Sequence, residues 1–343
     1  MTKDLGEFPR SFGLDCHVAS SLSEREVSLS GIPDLGPLPR RITVNAEQVH
    51  RLIDEQFPQW ADLPVEPVAD GGWDNWTFHL GDGMLVRLPS ASEYALAVEK
   101  EHRWLPPLAS RLPLPIPAPL AKGEPGAGYP FSWSIYQWLD GEPASAGRIA
   151  DPVRFAVDLA GFVAALQSID TADGPRPGKH NWFRGATLRT YEGQLESALE
   201  KLDGHVDVSL AREIWKTALD APWDGVDRWF HGDLAQGNLL LKDGQLAAVV
   251  DFGTCGVGDP ACDLAIAWTL LTAHSRQAFR ERLSVDDAHW ARGRGWALWK
   301  TMATCSYTLG DADESALNAR RVLTEIFAEY STGCPSTAQR TIS

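Results

Sequence analysis

The sequence predicts an α+β chain of two lobes, the first rich in β-strand and the second mainly helical. Three observations carry this. Short extended runs separated by Gly-rich turns lie between Val65 and Leu88, and Asp140-Gly-Glu-Pro143 breaks the pattern. After that break, apolar residues recur at helical instead of alternating spacing. The 343 residues, 44% hydrophobic and 22% charged, are enough to bury a core without staples and exclude collagen-like, coiled-coil and wholly disordered chains.

Residues 1–40 are polar, with two Ser clusters and three prolines after Ser30, and predict a loosely ordered extension. A first lobe is expected over 41–139, a second over 140–333, and a tail over 334–343. Asn45-Ala-Glu-Gln48 has the form of a helix start, with Val49, Leu52, Ile53 and Phe57 following at helical spacing. Val65 to Val68, Thr77 to Leu80 and Met84 to Leu88 read as strands joined by Asp70-Gly-Gly72 and Gly81-Asp-Gly83. Ser90-Ala-Ser-Glu93 reads as a capping box opening a helix to about Leu105. Prolines then exclude helix and central strand over most of Leu105 to Pro119, and Phe131 to Leu139 reads as a further strand. An apolar stripe from Val153 to Leu166 and helical patterns over 187–203, 209–220, 260–274 and 286–306 make up the second lobe.

The formal charge of −15 repels phosphate backbones and anionic lipid, so nucleic-acid and membrane-surface partners are not expected, while a cationic small molecule would be attracted. No apolar run approaches the length of a membrane span. Five scattered cysteines without a C-x-x-C pair argue against a disulfide framework or zinc ribbon. With no visible secretory signal at the start, the cytoplasm is the expected compartment.

The informative run is His231-Gly-Asp233-Leu-Ala-Gln-Gly-Asn238, followed by Leu-Leu-Leu241, a Lys-Asp-Gly-Gln245 turn, Leu-Ala-Ala-Val-Val250 and Asp251-Phe-Gly253. A turn centred between Asp243 and Gly244 pairs residues whose numbers sum to 487, so Asn238 opposes Val249. Asn238 and Asp251 then share a face, about 7 Å apart along the strands. An amide oxygen and a carboxylate are hard ligands, suited to Mg²⁺ that completes its shell with water and phosphate oxygens. Asp233, in the loop entering the hairpin, is the candidate base.

H-G-D-L-x-x-x-N followed by D-F-G resembles the catalytic and metal loops of the protein-kinase-like fold, and Gly232 is similar to the aminoglycoside and macrolide phosphotransferase family. Gly258-Asp-Pro-Ala-Cys-Asp-Leu264 resembles that family's continuation. The resemblance spans roughly 41–331 and implies transfer of the γ-phosphoryl of ATP or GTP to a small-molecule hydroxyl. Asp233 would deprotonate the acceptor, while Asn238 and Asp251 would hold Mg²⁺. It also implies a strand cation and a helix carboxylate. Arg87, in Met84-Leu-Val-Arg-Leu88, stands where the pattern has Lys, keeping the charge as a planar fork. Glu101 falls within the apolar stripe of the next helix, and Arg87 is the nearest cation outside that helix. Glu99, four residues before Arg103, reads as a solvent-exposed helical pair.

By the same resemblance, Gly71, Gly72 and Trp73 would cover the nucleotide phosphates, and the backbone from Gln137 to Leu139 would pair with the base. Asp259-Pro260 has the form of a helix N-terminus, and Asp263 one turn on is placed to brace the catalytic loop. Trp182, Trp268, Trp296 and Trp299 lie in the acceptor lobe but read as core. No Walker A, G-x-G-x-x-G, G-x-S-x-G or H-E-x-x-H pattern supports another chemistry. Aminoglycosides or macrolides lead as acceptors, the charge of −15 favouring a polycationic aminoglycoside. Choline, homoserine or a sugar are alternatives, and a weak nucleotide-binding regulator is the rival suggested by Arg87.

Overall fold

A computed structural model of the chain describes residues 35–69 and 72–333. Asn45 caps the first helix, α1 (Ala46–Gln56), its side chain accepting from Gln48 N. Gln48 does not reciprocate, because its own amide donates to Ala127 O. Five antiparallel strands follow in the order β1-β2-β3-β5-β4: β1 (Val65–Pro67), β2 (Asn75–Leu80), β3 (Met84–Pro89), β4 (Pro119–Gly123) and β5 (Trp133–Gln137). Val49, Leu52 and Ile53 of α1 pack on Phe78, Val86, Leu88, Trp133 and Ile135, the inward face of this sheet.

Between β3 and β4 runs α2 (Ser92–Ala109). It departs from expectation at both ends. Ser90 is fully buried at the end of β3, and its hydroxyl donates to Trp73 O and accepts from Arg41 Nε. It is therefore unavailable as a cap, and Ala91 takes that position. At the far end, α2 continues through Pro106 and Pro107. Burying Leu105 and Leu108 contributes about 3–6 kcal/mol, the same order as the about 3 kcal/mol lost at an interior proline. Both leucines belong to the larger core of the second lobe, as does Tyr136 of β5, whose Trp133 and Ile135 belong to the first, so β5 joins the two cores.

Beyond β5 the chain leaves the five-stranded sheet. β6 (Glu142–Pro143) pairs with β8 (Leu239–Lys242), which pairs with β9 (Gln245–Val249). A second small sheet joins β7 (Arg228–Phe230) to β10 (Gly256–Gly258). Around these lie α3 (Pro152–Gln167), α4 (Glu192–Lys201), α5 (Val208–Asp220), α6 (Ile266–Thr269), α7 (Ala273–Leu283), α8 (Asp287–Tyr307) and α9 (Glu314–Gly333). The sequence reading did not foresee α7, α9 or β4. Residues 260–265, expected as helix, form a 3-10 helix that leads into α6.

Asp259 caps that 3-10 helix through Ala261 N, with Pro260 at its start. It also takes a two-pronged bond from Arg292 of α8, at 2.7 and 3.2 Å. Arg292→Ala should therefore leave a buried carboxylate unpaired and destabilise the fold by about 3–5 kcal/mol. Urea denaturation checks this, and a loss under about 1 kcal/mol would refute it.

Candidate active site

The run from His231 to Asn238 leaves β7 as a loop, and its shape is set by a carboxylate beneath it. Asp263 is fully buried and accepts from His231 N at 2.8 Å and Gly232 N at 2.7 Å. Burial raises the Asp263 carboxyl to about 6, with His231 and the two amides opposing that rise. The His231 ring bridges onward, Nδ1 accepting from Asp233 N at 3.2 Å while Nε2 donates to Val250 O at 2.9 Å. Those contacts set Nδ1 as the acceptor and Nε2 as the donor. Gly232 has φ +87°, and a Cβ there would meet Thr254 O at 2.6 Å. Only glycine lets this loop lie directly on the turn after Asp251.

The hairpin brings Asn238 and Asp251 together by a route other than the one predicted. Asp243 and Gly244 have φ +51° and +73°, as a tight turn between them requires. A bulge after Leu240 then shifts the register, so Leu239, not Asn238, pairs with Val249. Asn238 sits in a 3-10 turn, its carbonyl accepting from Val250 N at 2.9 Å. Asp251 lies two residues past β9 in the left-handed region, φ +64°. Turn geometry, not a shared strand face, aims both side chains into the cleft.

Asp233 is held on two sides. Its Oδ1 accepts from Lys300 Nζ of α8 at 2.6 Å, and its backbone carbonyl accepts from Asn238 Nδ2 at 2.9 Å. Burial would raise its pKa, but the Lys300 ammonium, with Arg184 and His231, holds it below the ordinary carboxylate range. Arg184 donates to Gly232 O at 3.1 Å and lies over the rings of Tyr191 and Trp299. Lys300 and Arg184 carried no motif signal, because both are distant in sequence from the loop they support.

Arg87 of β3 meets carboxylates from two directions, Asp251 Oδ1 at 2.7 Å and Glu101 Oε1 at 3.6 Å. Burial opposes its charge, yet Asp251 and Glu101 more than compensate and raise its pKa. Glu101 is buried in α2 and also accepts from the Tyr136 hydroxyl, whose ring lies 5.8 Å from the guanidinium. The expected Arg87–Glu101 pairing is present. Glu99 instead meets Lys122 of the unforeseen β4, not Arg103. One residue before Glu101, buried Lys100 donates to Gly253 O, Cys255 O and His180 O. Burial lowers its pKa.

Gly72, Trp73, Arg87, Gln137, Leu139, Asp233, Asn238 and Asp251 all line one cleft of about 1880 Å³, larger than a pocket for a single small ligand. Glu101 stands behind Arg87, and Gly71 lies outside the described residues. In the linker, Gln137 N donates to Ala118 O and Trp138 N to Gly83 O. Leu139 N–H is thus the amide of this segment left for a base. Asp74, which the sequence reading passed over, also lines the cleft. Burial first, then the charges of Asp251 and Asp233, push its carboxyl up to about 7 against the pull of Arg87.

The donor set fits a hard divalent cation. Asn238 has its amide nitrogen engaged, so its oxygen is the atom for a ligand, and Asp251 commits one oxygen to Arg87. Burial accounts for most of the rise at Asp74, and a cation would offset the smaller part that Asp251 and Asp233 add. Among the described residues, no three His, Cys, Asp or Glu side chains form a cage alone. That suits an ion taking its other ligands from phosphate and water.

Because the Asp74 pKa is raised from 3.8 to about 7, its stabilising contribution is fully present below 3.8 and is lost as pH rises from there to about 7. Asp74→Asn should stabilise the nucleotide-free protein at pH 8 by about 2 kcal/mol, allowing for water in the cleft, and by less than half of that at pH 5. Melting curves at the two pH values check this.

The sequence pattern described as the phosphotransferase enzyme family, APH, matches residues 65–296. No curated protein sequence gives a significant match. Among solved structures, the GDP complex of aminoglycoside 2'-phosphotransferase-IIIa has a TM-score of 0.62 at 18% identity, covering 84% of this chain and 100% of its own. The GDP and kanamycin complex of APH(2")-IIIa gives 0.62 at 19%, covering 82% and 98%. Macrolide 2'-phosphotransferase MphH from Brachybacterium faecium gives 0.51 at 19%, covering 81% and 97%. At such identities the likeness establishes the bilobal kinase-like fold. With the family pattern spanning most of its length, the chain belongs to the APH phosphotransferase family.

Proposed function

We propose that the protein moves the γ-phosphoryl group of ATP or GTP to a hydroxyl of a small molecule. One observation carries the reading: Arg87, Asp233, Asn238 and Asp251 line a single cleft with room for a nucleotide and an acceptor together. Structural neighbours were solved with GDP, ATP or ADP, and with kanamycin, streptomycin or gentamicin. Aminoglycosides and macrolides therefore head the acceptor panel, followed by choline, homoserine and sugars. The cytoplasm is the proposed compartment. Cys255, Cys262 and Cys305 are free thiols, and no helix among the described residues is long and apolar enough to cross a membrane.

In this reading Asp233 accepts the hydroxyl proton as the acceptor oxygen attacks the γ-phosphorus, while the bond to the β–γ bridging oxygen breaks. Asn238 and Asp251 would hold Mg²⁺, which when bound neutralises charge on the phosphates. Arg87 places a fixed cation beside them, anchored by Glu101. Gly72 and Trp73 border the phosphates, and Gln137 to Leu139 border the base, with Leu139 N–H as donor. The substitution of Arg for Lys, which motivates the regulator reading, preserves both carboxylate partners.

Asp233→Asn should reduce phosphoryl transfer by about 10²–10⁴-fold and leave nucleotide affinity nearly unchanged. Absence of turnover across the whole panel in the native protein would instead favour the regulator. Lys300 acts on a carboxylate whose pKa is lowered, so its stabilising pairing exists above the ordinary value and disappears as pH falls through the folded one. Lys300→Met should move the acid limb of kcat/KM to higher pH, and an unmoved limb would contradict that pairing.

A further inference from the structure

The acceptor side of the cleft is walled by α4, α8 and α9, and its charge differs from that of the chain. Its lining cations are Arg184, Lys201, Lys300 and Arg321, against the carboxylates of Asp233 and Glu314. Two of the cations are committed within the protein, Arg184 to Gly232 O and Lys300 to Asp233. Lys201 lies 5.3 Å over the Tyr307 ring, and Arg321 donates to Asn318 Oδ1 and Thr269 O. Neither has a carboxylate partner among the described residues.

Position sharpens the point. A hydroxyl that gives its proton to Asp233 must approach a carboxylate whose Oδ1 lies 2.6 Å from the Lys300 ammonium. That ion pair is close to neutral, so the charge felt by a substituent beside the hydroxyl is set by Lys201 and Arg321, which repel an ammonium and attract an anion. Lys300, Ala303 and Tyr307 share one face of α8, and seven residues of helix span about 10 Å. Lys201, over Tyr307, sets a positive charge without a carboxylate partner about that far from the base.

We infer that the acceptor is an alcohol carrying a carboxylate or phosphate group, not a polyamine-like polycation. The local wall thus reverses the preference that the net charge of −15 suggested, since screening within about 8–10 Å leaves the nearest charges in control. This inference rests on the phosphotransferase reading, because that reading places the acceptor hydroxyl at Asp233.

Glucuronate, glucose and glucosamine share one ring and carry charges of opposite sign or none, so they probe the wall directly, with kanamycin as the polycation. Tryptophan fluorescence titration of the full chain at low salt should show glucuronate binding at least 10-fold tighter than glucosamine or kanamycin. Lys201→Glu combined with Arg321→Glu should reverse that order, the fold being checked by an unchanged melting temperature. Amines binding as well as glucuronate, or no preference for glucuronate over glucose, would overturn the inference. Efficient phosphorylation of kanamycin with glucuronate inert would overturn it while leaving the phosphotransferase reading intact. A correct charge preference with no phosphoryl transfer to any acceptor would overturn only that reading.

Discussion

One guanidinium ties the two lobes together. Arg87 stands on the sheet of the first lobe, Glu101 reaches it from the helix behind, and Asp251 reaches it from the second lobe. A buried cation needs such partners, since a guanidinium without a carboxylate would leave charge uncompensated in a poorly hydrated place. Tyr136 satisfies the remaining oxygen of Glu101 and packs into the core of the second lobe. The relative placement of strand, helix and the turn at Asp251 is thus fixed by ion pairing at the centre and by shared apolar packing around it.

The second lobe solves a related problem with backbone geometry. Asp233 and Asp251 sit on different segments that must stay in contact, and three devices hold them. The His231 ring spans Asp233 N and Val250 O, Asp263 grips the amides of 231 and 232, and Gly232 removes the side chain that would hold Thr254 away. The left-handed backbone of Asp251 is sustained by this packing, as strained residues at functional sites usually are. Local backbone strain and buried polar bonds are in this sense two parts of one arrangement.

Much of this was legible in the sequence because it rests on local pattern. The helix start at Asn45, the alternation in β2 and β3, and the spacing from His231 to Asp251 needed only near neighbours in the chain. Glu101 was readable because a charge inside an apolar stripe demands a partner. The register of the β8–β9 hairpin was not, since a bulge leaves no compositional mark. Lys300, Arg184, Lys100 and Asp74 were hidden for a different reason. Their importance arises only where segments far apart in sequence meet, and a single Lys or Arg on a helix reads as solvated. The whole-chain charge averages over surfaces that do not line the cleft, so it says little of the cleft's own charges.

Lys100 shows what such hidden contacts entail. Its ammonium is wrapped by the carbonyls of Gly253, Cys255 and His180, with no carboxylate in ion-pair contact among the described residues. An amine in that setting meets no solvent-borne electrophile while α2 stays seated on the segment after Asp251. Acylating reagents would modify it only in molecules whose lobes have parted, which makes this one lysine a chemical clock for interlobe opening.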